Sequence, residues 1–302
     1  MAWKVGTSAG DVPLARWRGV RYLPVALTAL LSATAVAAAS WLGTAALTAV
    51  VCVICLVVAL GWPQLMGVSA RRSLSTVILL AGVVAAVGAA TVDEVETLFF
   101  WSSVSLAFGV MTVFVIQVVR GTGRPHRLES TLGASAGVVI TTTAAGWVAG
   151  LRYPAELLGV GDSDDAGLMG VLSVPGLVFL EEWALLGVTG EGGELTVVAL
   201  AAMSLGFAVL VGCVPLRDAI VLPLVVLAGG AVAVGTALLW GELTLFFSGL
   251  LGLGAGVLIA TMRRFLIIQG PPAGRLSVMA VGAAPIAAMG SLVYFAERLL
   301  FV

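Results

Sequence analysis

Charge is what this chain has least of. Only 10% of its 302 residues are charged, whereas soluble domains carry about 25%. A soluble chain so poor in polar groups could not cover its core with wettable surface. The net charge is −1, which excludes the basic footprint of a nucleic-acid binder. The three cysteines, Cys52, Cys55 and Cys213, all lie inside apolar stretches. They read as small hydrophobes rather than as a disulfide framework. Cys52 and Cys55 match a CxxC spacing, but thiols in an apolar helix lack the access that redox or metal chemistry needs. No metal or cofactor is expected.

Apolar residues are abundant: 60% hydrophobic, with a mean hydropathy of +1.14. A bilayer-spanning helix needs about 20 apolar residues, because a rise of about 1.5 Å per residue must cover roughly 30 Å of hydrocarbon. Runs of that kind occupy about 22–40, 44–66, 73–92, 97–119, 130–151, 195–214, 219–240, 243–262 and 276–296. The basic residues 1–21 followed by an apolar run also resemble a signal peptide, with Ala37-Ala38-Ala39 as a cleavage-like stretch. The second apolar run begins almost at once, so the first is taken as a retained helix.

Arginine placement supports the count independently. With the N-terminus inside, the cytoplasmic segments hold Lys4, Arg16, Arg18, Arg21, Arg71, Arg72, Arg120, Arg124, Arg127, Arg217, Arg263, Arg264 and Arg275. Those are 13 of 15 basic residues; only Arg152 and Arg298 lie outside. Positive charge in short loops is what orients a multispanning chain. Residues 171–188 are apolar and nearly long enough to cross, but a crossing there would move Arg217, Arg263 and Arg264 outside. Pro175 and the pair Glu181-Glu182 also disfavour it, since a mid-bilayer carboxylate costs roughly 2.5–3.5 kcal/mol on insertion scales. The expectation is an all-α polytopic membrane protein of about nine transmembrane helices, N-terminus in and C-terminus out. It forms one integral membrane domain over 1–302, comprising a cytoplasmic segment 1–21, helices 1–5 in 22–151, an external acidic segment 152–194 and helices 6–9 in 195–302. The external segment is expected to hold a re-entrant or interfacial helix.

Packing between such helices relies on close backbone approach. Gly133, Gly137, Thr141 and Ala145 recur every four residues, as do Ser248, Gly252, Gly256 and Ala260. These stripes suit either packing within the chain or a homo-oligomer face. Trp62, Trp101, Trp147, Trp240 and Tyr294 lie near predicted helix ends, where amphipathic rings favour the headgroup region.

No catalytic residue stands out. The spanning cores hold essentially no ionisable groups, which argues against a proton pump or an ion-coupled carrier. Thr141-Thr142-Thr143 offers hydroxyls, although mid-helix threonines commonly bond to their own backbone. The loop 120–130 gathers Arg120, Arg124, His126 and Arg127, a set able to hold an anionic lipid headgroup or phosphate. Asp218 stands at the start of the seventh helix beside Arg217, as a cap and local ion partner or as a ligand contact. Glu181 and Glu182, next to Trp183, form either the wet face of an interfacial helix or part of an external pocket.

The N-terminal half resembles phosphatidate cytidylyltransferases, the CDP-diacylglycerol synthases. The residues carrying this are the helical hairpin opening at Arg21-Tyr22-Leu23, the stretch Gly61-Trp62-Pro63-Gln64-Leu65-Met66-Gly67 with basic residues after it, and Leu128 to Gly150. The family's lysine-rich stretch and its signature of Lys, Asp, Gly and His have no counterpart, since the single lysine is Lys4 and the single histidine His126. The resemblance implies a membrane-embedded lipid-modifying enzyme, but no catalytic residue carries over. The expectation from the residues themselves is a non-enzymatic multi-pass protein, permease-like or a scaffold for envelope assembly.

Overall fold

The computed structural model describes residues 22–67, 71–120, 127–159, 197–214, 217–240, 245–269, 272 and 274–300. The helices are α1 (Tyr22–Leu42), α2 (Thr44–Leu65), α3 (Arg71–Thr91), α4 (Phe100–Arg120), α5 (Arg127–Thr143), α6 (Gly146–Gly159), α7 (Val197–Gly212), α8 (Asp218–Trp240), α9 (Leu245–Gln269) and α10 (Arg275–Leu300). A 3-10 turn, Val95–Thr97, precedes α4, and there is no strand among the described residues. Among the described residues, eight stretches are long and apolar enough to cross a bilayer, with α5 and α6 forming one of them. The chain is an all-α polytopic membrane protein.

The ninth apolar helix is α7, 16 residues long. At about 1.5 Å per residue it covers about 24 Å, less than the hydrocarbon thickness. It can be short because it meets little lipid: twelve of its residues are buried, among α1, α8 and α9.

Contacts between helix ends fix which ends lie together. The end of α2 meets the starts of α5 and α10, through Trp62 to Gly133 and Gly61 against Leu276. The end of α9 meets the end of α7 and the start of α8, through Arg263. At the opposite face the end of α3 meets α6 through Arg152, and the end of α10 meets α6 at Gly150. Successive crossings therefore alternate, and α6 finishes at the end where α7 starts. The arginine bias assigns that end to the outside.

A single non-helical residue separates Leu42 from Thr44: Gly43, at φ 100°. Only glycine takes that conformation without strain, so the expected tight turn between α1 and α2 is built there. The fifth apolar run differs from its expected single helix. Thr141, Thr142 and Thr143 each donate to carbonyls three and four residues back, and the ladder tightens at Ala144 and Ala145. The break redirects α6 onto α10. Gly146 and Gly290 bring the two backbones together, with no room for a Cβ on either. Trp147 is fully buried there and donates its indole N–H to Ile286 O at 2.7 Å.

Trp62, Trp147 and Tyr294 are therefore not interfacial anchors, as their positions suggested: all three are buried in the bundle. Trp101 does remain exposed. The small-residue stripes also face inward. Gly133 abuts Met66, Gly137 abuts Trp62 and Ile78, Gly252 abuts Gly229, and Gly256 abuts Val226. They are used for packing within the chain.

Candidate functional site

Three places combine polar groups with burial or a cavity. The first is the cytoplasmic end. Arg120 ends α4 and Arg127 begins α5, and Gln117 Nε2 donates to Ser130 Oγ at 2.6 Å to hold the two helices together. Arg124 and His126 lie outside the described residues, as do Glu181 and Glu182.

Asp218 is the first residue of α8. Its partner is Arg263 of α9, not the neighbouring Arg217: Arg263 Nε and Nη2 reach Asp218 Oδ1 at 3.1 and 3.0 Å. Arg263 Nη1 also donates to Gly212 O and Val214 O. One guanidinium thus satisfies carbonyls left open at the end of α7 and complements the carboxylate at the start of α8. Because α9 runs on to Gln269, Arg263 is a helix residue rather than the loop residue that hydropathy suggested. With its carboxylate engaged in this way, Asp218 acts as a clamp between helices. Burial pushes the Cys213 thiol up, and Arg263 partly offsets this.

The second place is the outer end of α10. This helix continues to Leu300, past the boundary expected at 296, and carries Glu297 into the bundle. Glu297 is 1% exposed, and its Oε2 has no hydrogen-bond partner among the described residues. Gly150 of α6 faces it so closely that a Cβ there would sit 2.6 Å from Oε2. Around it stand Tyr294 and Tyr153, edge to face at 6.0 Å, and Phe99, stacked on Tyr294 at 5.0 Å. The expectation of charge-free spanning segments is corrected here. Hydropathy windows end at a charged pair, so Glu297-Arg298 read as a loop. The missed signal is that no glycine or proline follows Gly290 to stop the helix.

The third place is a groove of about 340 Å³ between α3 and α4. Its walls include Leu80, Val84, Trp101 and Phe108, and Ser105 is its buried polar residue. Leu80, Val84 and Phe108 are exposed on the bundle's outer surface, so the groove faces lipid. The Ser105 hydroxyl has no hydrogen-bond partner among the described residues, unlike nearby Ser102, which donates to Thr142 O at 2.7 Å. No sequence pattern pointed to Ser105, because serine in an apolar helix normally back-bonds to its own turn.

These three arrangements stand without a precedent to interpret them: no known family, no curated protein and no solved structure matches the chain.

Proposed function

We propose that this chain is a non-enzymatic, permease-like protein that takes an amphipathic, lipid-like solute from the hydrocarbon phase of a bacterial cytoplasmic membrane. The observation that carries this reading is the α3–α4 groove lined by Ser105, whose buried hydroxyl has no partner among the described residues. A volume of about 340 Å³ falls at the lower end of the range of ligand pockets. Lipid tails are as apolar as the groove walls, so hydrocarbon contact alone selects nothing. A hydroxyl in hydrocarbon does select, because an unmet donor or acceptor is costly there and a solute that meets it gains. The chemistry favours a chain bearing one hydrogen-bonding group along its length. The bacterial assignment rests on arginine greatly exceeding lysine with abundant Ala, Gly and Val.

This favours a carrier over a scaffold, which needs no groove. The engagement of Asp218 with Arg263 weighs against the cytidylyltransferase-like reading, since nucleotidyl transfer needs free carboxylates for Mg²⁺.

The test is photo-crosslinking of the full chain in nanodiscs with two diazirine-bearing acyl chains, one with a mid-chain hydroxyl and one without. The hydroxylated chain should label α3 and α4 preferentially. Ser105→Ala should erase that preference, by about 3- to 30-fold, from roughly 0.6–2 kcal/mol for one intramembrane hydrogen bond. Val84→Trp, which fills the groove from its exposed rim, should abolish labelling by both. Equal labelling of all helices in every variant would overturn the proposal.

A further inference from the structure

A carboxyl buried away from water must be neutralised or paired, because an uncompensated charge in a low-dielectric interior costs several kcal/mol. Of the described cations at this end, neither Arg298 nor Arg152 pairs with Glu297. Arg298, the next residue, points to solvent and donates to Tyr294 OH at 3.3 Å. Arg152 spends its Nη1 on Ala89 O and Val92 O, at 2.9 and 2.5 Å, capping the end of α3. Nor do the described residues offer a cluster of three or more His, Cys, Asp or Glu able to hold a metal ion. What remains able to neutralise the group is a proton, which needs no cavity.

We infer that Glu297 is a proton-binding site at the outer end of the bundle, exchanging its proton with the external aqueous phase. The geometry suits exchange. Glu297 lies in the last turn of α10 that the structure describes, next in sequence to exposed Arg298, so the buried carboxyl is near the outer end of the bundle. Tyr294 lies three residues earlier on the same helix, about 4.5 Å along the axis, and its hydroxyl already contacts Arg298.

Among the described residues, the titratable and charged groups facing this region are few. From α6 come Tyr153 and Arg152, from the 3-10 turn Glu96, and from α10 itself Tyr294 and Arg298; Tyr153 interacts electrostatically with Arg298, Tyr294, Glu96 and Glu297. The other helices packed on α10 are α1, α2, α5, α7 and α9. They bring no described titratable group to that end. A proton site on an otherwise nearly uncharged bundle fits the rule that intramembrane ionisable residues mark function. If the carrier reading holds, this is where a proton would couple to solute. The site itself does not depend on that reading and shares no residue with the α3–α4 groove.

Dicyclohexylcarbodiimide tests it. This apolar reagent adds a protonated carboxylic acid across its C=N bond; after O-to-N acyl migration the product is an N-acylurea, with no leaving group. The full chain in nanodiscs is treated across a range of external pH, and the modified residue is located by mass spectrometry. Glu297 should be the modified carboxyl of the bundle, with a rate falling about tenfold per pH unit once the proton is released. Glu297→Gln should remove the adduct, and Glu96→Gln should leave it. Infrared difference spectra of the unsubstituted chain give a second readout, independent of reagent access and of whether the variant folds. A high-frequency carboxyl band, of the kind given by an acid without a hydrogen-bond partner and distinct from the bands of the exposed acids, should titrate with pH and be unmoved by sodium. The inference fails if Glu297 is unmodified at every pH, or if no such high-frequency band titrates. It also fails if sodium protects Glu297 at constant pH, which would reassign the site to a metal cation.

Discussion

Replacing Arg263 separates two explanations of the cytoplasmic end. As an ion pair, Arg263 and Asp218 would matter equally; as a cap on α7, Arg263 would matter far more. Asp218 has a side chain 40% exposed, against 13% for Arg263. Water can take over the carboxylate when its partner goes, and solvent screening reduces the pair itself to about 1 kcal/mol or less. The carbonyls of Gly212 and Val214 are different. They are end-of-helix acceptors, and Gly212 is buried, so removal of the guanidinium leaves an acceptor unmet. Charged hydrogen bonds contribute about 1.5–3 kcal/mol each. Arg263→Gln should therefore destabilise the protein by about 2–4 kcal/mol, given two carbonyl bonds of which one is long. Asp218→Asn should cost about 0.5–1 kcal/mol, mostly its favourable place at the N-terminus of α8. The double-mutant cycle, measured by equilibrium unfolding in bicelles, should give a coupling of about 1 kcal/mol or less. A cost for Asp218→Asn equal to that of Arg263→Gln, with strong coupling, would refute the capping account.

The other expectations are more local. Gly256→Ala would set a Cβ 2.5 Å from Val226 Cα and 2.8 Å from Val225 O, so unfolding should show a loss of about 1–3 kcal/mol from overpacking. Gly235→Ala meets nothing within 4 Å and should be neutral or stabilising by up to about 1 kcal/mol through helix propensity; a loss there would count against this packing of α8. Trp62→Phe removes the 2.8 Å bond to Gly133 O and should cost about 1 kcal/mol, the low end for a buried carbonyl that keeps its helical partner. Because burial raises the Cys213 thiol and Arg263 lowers it, less thiolate is present at neutral pH than for a free cysteine. Maleimide should react slowly, and faster as pH rises; a rate at neutral pH equal to that of a free cysteine would contradict the assignment.

The crossings were legible because twenty-residue apolar runs and arginine placement are local signals. The break at Ala144-Ala145 was not. Nothing in Thr141-Thr142-Thr143 distinguishes a continuous helix from one turned aside, because the turn depends on Gly290 and Ile286, far along the chain. The same long-range contact hides Glu297. Its charge reads as the end of a helix until Gly150 is placed over it. Asp218 was recognised as a helix-start carboxylate, but its partner lies 45 residues away, beyond any spacing rule. Trp147 and Tyr294 show a related failure: aromatic residues near a hydropathy boundary look interfacial whether they face lipid headgroups or the neighbouring helix.

Impermeant thiol labelling of intact cells tests the alternating crossings most directly. In a background lacking Cys52, Cys55 and Cys213, single cysteines replace exposed Glu94 and exposed Arg72, at opposite ends of α3. Glu94→Cys should react in intact cells and Arg72→Cys only after permeabilisation. The reverse pattern, or reaction of both in intact cells, would contradict the account.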